Sequence, residues 1–98
     1  MTGSEKQITW AQEIQSAAVE SIRFTMEAAK EAPEYDENNP EIRAGLELWE
    51  RRIRNIENCA HARDIIDNFK GVKASNSPEK NFAIVYVALQ RPTVSFDK

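Results

Sequence analysis

Between Gln7 and Lys30 the apolar residues Ile8, Ala11, Ile14, Ala18, Ile22, Met26 and Ala29 recur at steps of three and four, with no proline or glycine among them. That is the period of one face of an α-helix. Trp10, Ala17 and Phe24, spaced by seven, run beside the stripe and widen it, as suits a helix that touches two neighbours. Ser4-Glu5-Lys6-Gln7 has the form of a capping box, in which each end residue satisfies the other's backbone N–H, so the helix is expected to start at Ser4. Pro33 ends it.

The segment Glu31 to Asn39 is acidic and rich in turn formers, and reads as a solvent-exposed connection. Asn39-Pro40-Glu41 is the next start signal: an N-cap, a proline whose missing N–H costs nothing in the first turn, and an acid suited to the helix dipole. Ile42, Leu46, Trp49, Ile53, Ile56 and Ala60 then alternate steps of four and three, a coiled-coil-like seam. Past Ala60 the apolar positions move to Ala62, Ile65, Ile66 and Phe69 before Gly71. The second helix is therefore expected to run to Gly71, bending or passing to a second neighbour on the way. The two seams should face each other, with Trp10 and Trp49 as core anchors.

Signals in the last third conflict. Ser77-Pro78-Glu79 opens a helix, whereas the run Phe82 to Leu89 is rich in strand-favouring residues. A lone strand would leave backbone groups without partners unless Thr93 to Phe96 folded back or another chain paired with it. Helix is the preferred reading and strand the alternative. The fold expected is thus mainly α, a compact helical bundle of two long antiparallel helices plus a third C-terminal element, in one domain spanning 1–98. Because the stripes are too wide for a simple helix pair, that third element or a second copy in a homodimer must cover them.

Composition narrows the functions. With 98 residues the chain can hold one hydrophobic core, short of what most enzymes need to enclose a substrate. No apolar stretch is long enough to span a membrane, and Met1-Thr2-Gly3-Ser4-Glu5-Lys6 lacks the apolar core of a signal peptide. The single cysteine, Cys59, excludes an intramolecular disulfide and fits a reducing compartment. The cytoplasm is the expected location. A net charge of -3 disfavours non-specific nucleic-acid binding, which draws on lysine and arginine.

Candidate chemistry is sparse. Cys59 and His61 are the only residues of their types, but two positions apart on a helix they point to opposite sides and cannot act as nucleophile and base. Glu57, His61 and Asp64 would share a helical face, as metal ligands can, yet such triples arise by chance in so charged a segment. Asp64 and Asp67 could be read as an acid–base pair, but Asp67-Asn68 lies at the end of the expected helix, and local hydrogen bonding that closes it is the better reading. No catalytic residue, metal or cofactor is therefore expected. Arg51, Arg52, Arg54 and Lys70 form the only basic concentration, a candidate nucleic-acid face partly neutralised by Glu47 and Glu50. The acids Glu27, Glu31, Glu34, Asp36, Glu37 and Glu41 are opposed only by Lys30. Of these Glu31, Glu34, Asp36, Glu37 and Glu41 are the candidate partner-binding residues, suited to a basic protein surface.

Ser4 to Ile14, with its K-Q-I-x-W-A-x-x-I pattern, and Ala62 to Asn68, with A-x-x-I-I-D-N, resemble a group of small bacterial and prophage proteins. The resemblance implies a shared helical fold and a phage setting, hence a bacterial host cell as location. Small acidic proteins from that setting include inhibitors of host defence such as anti-CRISPR proteins. The expected function is accordingly a non-enzymatic inhibitor or adaptor that binds a protein, such as a CRISPR effector or another nucleic-acid-handling protein. The alternative is a small DNA-associated transcriptional regulator, acting through Arg51, Arg52 and Arg54.

Overall fold

The computed structural model describes residues 1–91 and Phe96, and among these the chain forms α1 (Glu5–Lys30), α2 (Pro40–Glu57), α3 (Ala62–Asn68) and α4 (Pro78–Leu89). The start signals act as their chemistry dictates. Ser4 Oγ accepts from the Gln7 amide at 3.2 Å while the Ser4 amide donates to Gln7 Oε1 at 3.0 Å. Asn39 and Ser77 cap α2 and α4, each with a proline in the first turn. The ambiguous run Phe82 to Leu89 is helical. Residues 93–95, proposed to fold back had that run been a strand, lie outside the described residues. Extended pairing among those described amounts to one isolated parallel bridge, Thr2 with His61.

α1 is the axis of the molecule, and α2, α3 and α4 all pack on it. Its buried residues Ala11, Ile14, Ala17, Ala18, Val19, Ser21 and Ile22 occupy an arc of more than half the helix circumference, at about 100° per residue. One partner helix cannot cover so wide an arc. α2 runs antiparallel to α1: Gln15 meets Ile56, whereas Ile22, Met26 and Ala29 lie with Leu46 and Trp49. α3 supplies Ala62, Ile65 and Ile66 to the same core, and α4 supplies Val85, Ala88 and Leu89. Phe69 and Val72 complete it, with the Phe69 and Phe96 rings 5.3 Å apart.

The second helix is not continuous to Gly71, as the sequence pattern suggested. It stops at Glu57, and a new helix begins at Ala62. From Ile56 to Ile65 the apolar side turns through roughly half a circle at 3.6 residues per turn, too far for a bend, and both stretches face α1. The chain breaks instead, which leaves backbone carbonyls and amides to be satisfied. Gln15 Nε2 donates to the carbonyls of Ile56 and Glu57. The Thr2 amide donates to the Ala60 carbonyl at 2.6 Å, and the Ala62 amide donates to the Thr2 carbonyl at 2.9 Å. α1 and its leader therefore hold the break from both sides.

Gly71 is the turn residue foreseen, with φ +95°, a conformation that side-chain-bearing residues rarely adopt. The loop after it is pinned by Asn81, only 3% exposed. Asn81 Oδ1 accepts from the Lys73 amide at 3.2 Å and from Asn76 Nδ2 at 3.0 Å, and its Nδ2 donates to the Lys73 carbonyl at 2.9 Å.

The placement of the tryptophans corrects a second expectation. Trp49 packs against the core, its ring 5.3 Å from Phe82 and 6.3 Å from Tyr86. Trp10, by contrast, is 55% exposed and Phe24 45% exposed. Ala17, on the same line of α1, lies beside the stretch Ala74 to Asn81. That cover spans only the middle of the line, and Trp10 and Phe24 stand two turns to either side of it. Asn81→Ala is expected to lower unfolding free energy by about 1–3 kcal/mol, because it strands buried polar groups. Trp10→Ser should change it by less than about 0.5 kcal/mol. Urea unfolding followed by circular dichroism measures both.

Candidate functional site

The surface divides by charge more sharply than the net value suggests. Of the 16 acids in the chain, six lie between residues 27 and 41, against one of the 13 lysines and arginines, leaving ten acids and twelve cations elsewhere. The protein's negative charge thus resides in one short stretch. Glu27, Glu31, Glu34, Asp36, Glu37 and Glu41 are all exposed. Lys30, the lone cation among them, is bound to Glu27 at 3.3 Å.

Local hydrogen bonds give the connection a defined shape. The Tyr35 amide donates to the Ala32 carbonyl at 3.0 Å, and Asp36 takes the Asn38 amide on Oδ1 at 2.9 Å and the Asn39 amide on its carbonyl at 3.0 Å. Asn39 Oδ1 in turn accepts from the Glu41 amide at 2.9 Å. Asp36 is therefore occupied in forming the turn, while the carboxylates of Glu31, Glu34, Glu37 and Glu41 project from it. Sequence reasoning missed that the acidic surface continues along α1. Glu13, Glu20 and Glu27, spaced by seven, are all exposed and share its solvent side. Their heptad spacing was the available signal.

The basic concentration does not assemble as one face. Arg51 and Arg54 are exposed, but Arg52 is only 7% exposed and lays its guanidinium 4.5 Å from the centre of the Trp49 ring. A step of one residue turns a helix by about 100°, so Arg52 leaves the side that Arg51 and Arg54 occupy. Lys70 lies elsewhere again, on a groove between α3 and α4. Nor do Glu47 and Glu50 close ion pairs with Arg51 and Arg54; the described pairs are Arg23 with Glu57, Lys30 with Glu27 and Arg63 with Asp67.

Cys59 and His61 are separated, though not for the reason helical geometry gave, since both lie in the break between α2 and α3. His61 Nδ1 is 2.6 Å from Thr2 Oγ1, and the Cys59 sulfur lies 3.5 Å from the His61 carbonyl rather than on the ring. The same break removes the shared face of Glu57, His61 and Asp64. Glu57 instead meets Arg23 at 3.6 Å. Asn68 Nδ2 donates to the Asp64 carbonyl at 2.7 Å, the local closure expected at a helix end. Among the described residues no group of three His, Cys, Asp or Glu side chains is placed to hold a metal ion, and no helix is long and apolar enough to cross a membrane.

Fold and surface together define a small helical protein whose exposed acids are concentrated in one stretch. No protein-family model, curated protein or solved structure matches the chain. The different settings of the arginines have a measurable consequence. Arg52→Ala is expected to cost about 1–3 kcal/mol of stability, through lost stem packing and the lost contact of its cation with Trp49. Replacing Arg51 and Arg54 together by alanine should cost less than about 0.5 kcal/mol. The urea midpoints of the two variants distinguish them.

Proposed function

We propose that the protein is a non-enzymatic inhibitor or adaptor that docks its acidic surface on a basic, nucleic-acid-handling protein. The observation that carries the reading is the concentration of exposed carboxylates from Glu27 to Glu41, on a turn whose shape is fixed by its own hydrogen bonds. A preformed array of like charges attracts a surface of the opposite sign and loses little freedom on binding. On a protein that grips phosphates, carboxylates occupying those positions exclude the nucleic acid. The line Glu13, Glu20, Glu27 extends the array by about 21 Å at 1.5 Å per residue.

The resemblance of Ser4 to Ile14 and of Ala62 to Asn68 to small prophage proteins supports a phage setting, in which an anti-CRISPR-like block of a CRISPR effector is the leading form of this function. Those segments supply the α1 cap and the core residues Ala11, Ile14, Ala62, Ile65 and Ile66, so they speak for the fold. The DNA-associated regulator is not favoured, because Arg52 is taken from the face it needs.

The test is capture of partners from a bacterial lysate by the wild-type chain and by a variant carrying Glu31→Lys, Glu34→Lys, Glu37→Lys and Glu41→Lys. Asp36 is kept because it forms the turn. A nucleic-acid-handling protein should be retained by the wild type, be displaced by added duplex DNA, and bind the variant at least about ten-fold more weakly, a difference of about 1.4 kcal/mol. Undiminished capture by the variant, or indifference to the DNA, would overturn the reading.

A further inference from the structure

α4 carries more apolar surface than its neighbours bury. Phe82 to Leu89 is an unbroken run of apolar and aromatic residues, and a helix apolar on every side is normally enclosed on every side. Here Asn81, Val85, Ala88 and Leu89 turn inward, while Ala83 is exposed and Val87 is 61% exposed. With Ile84 and Ala88 these two form the apolar wall of a groove of about 350 Å³ between α4 and the end of α3.

The groove has a charge signature. Lys70 borders it on the α3 side and Arg91 at the end of α4, and Lys80 precedes Ile84 by one turn on the same side of α4. None of these three cations is paired with an acid among the described residues, and Asp67, which also borders the groove, is bound to Arg63 at 3.4 Å. A chain of net charge -3 thus offers an apolar strip flanked by cations. From Ala83 to Arg91 the strip is about 12 Å long at 1.5 Å per residue, roughly two turns of a docked helix.

A second copy is poorly suited to fill it. Placed groove to groove about a two-fold axis, two copies would set Lys70, Lys80 and Arg91 of one against those of the other, and like charges oppose that pairing. We propose that the α3–α4 groove receives an amphipathic helix of another protein, its apolar stripe set on Ala83, Ile84 and Val87 and its flanking carboxylates on Lys70, Lys80 and Arg91. This surface is separate from the acidic one, and the variants that test either leave the other intact.

The probe is a helical peptide of about 14 residues with leucines at steps of three and four and glutamates beside them, compared with the same peptide bearing lysines in place of the glutamates. Backbone amide NMR of the full chain should show shifts from the acidic peptide centred on Ala83, Ile84, Val87 and Ala88. Val87→Glu, at an exposed position, and the double variant Lys70→Glu with Arg91→Glu should each weaken binding at least about ten-fold, with circular dichroism unchanged. Raising salt should weaken it as well. Equal binding of the lysine peptide, or shifts centred elsewhere, would overturn the proposal. So would a concentration-dependent dimer in sedimentation that Val87→Glu abolishes, since the occupant would then be a second copy.

Discussion

The structure depends on one constraint: the apolar arc of α1 is wider than any single helix can cover. Ile14 and Ile22 are almost wholly buried, and each such side chain contributes about 1.5–3 kcal/mol when removed from water. Leaving part of the arc open would forfeit that stabilisation. Three helices therefore gather on α1, and the connections between them are placed by the need to reach it. The break after Glu57 is the clearest consequence. A straight α2 would have carried Ile65 and Phe69 away from α1, so helical hydrogen bonds are given up there and replaced by those from Gln15 and Thr2.

How much of this was legible in the sequence follows from the range of the interactions. Caps are local, and Ser4, Asn39, Ser77 and Gly71 could be read because each signal lies within a few residues of its effect. The helical state of Phe82 to Leu89 was legible as a preference, since Ser77-Pro78 opposed the strand propensity that followed. The break at residues 58–61 carries no glycine or proline. Its partners lie at Thr2 and Gln15, some forty to sixty positions away, and no local pattern announces them. Asn81 was hidden for the same reason: an asparagine just ahead of an apolar run gives no sign that it will be buried and bonded to the loop before it.

The same division holds for the surface. The acidic stretch from Glu27 to Glu41 was legible because like charges close in sequence are close in space. The basic group was not, because Arg51, Arg52 and Arg54 are neighbours in sequence but not on a helix, where the middle residue turned toward Trp49. Trp10 misled for a related reason. Its heptad relation to Ala17 is real, yet the cover over Ala17 is too short to reach it. Periodicity states which side of a helix a residue occupies, whereas burial also depends on how far along the axis a neighbour extends.

Packing and charge then explain where the two proposed docking surfaces fall. Residues on the buried arc of α1 are committed to the core, whereas its outer side, its connection to α2 and the outer side of α4 stay exposed. Carboxylates on the connection are solvated and cost the fold little, because solvent and salt weaken their mutual repulsion. Cations beside the α4 groove are equally remote from the core. The acidic connection and the cation-flanked groove put local fields of opposite sign on different parts of the surface, and such fields steer charged partners before contact. In the proposed docking modes a basic surface would meet the acidic connection and an acidic helix the groove. Were both proposed surfaces occupied, the protein would hold two partners at once, the arrangement of an adaptor rather than of a simple inhibitor.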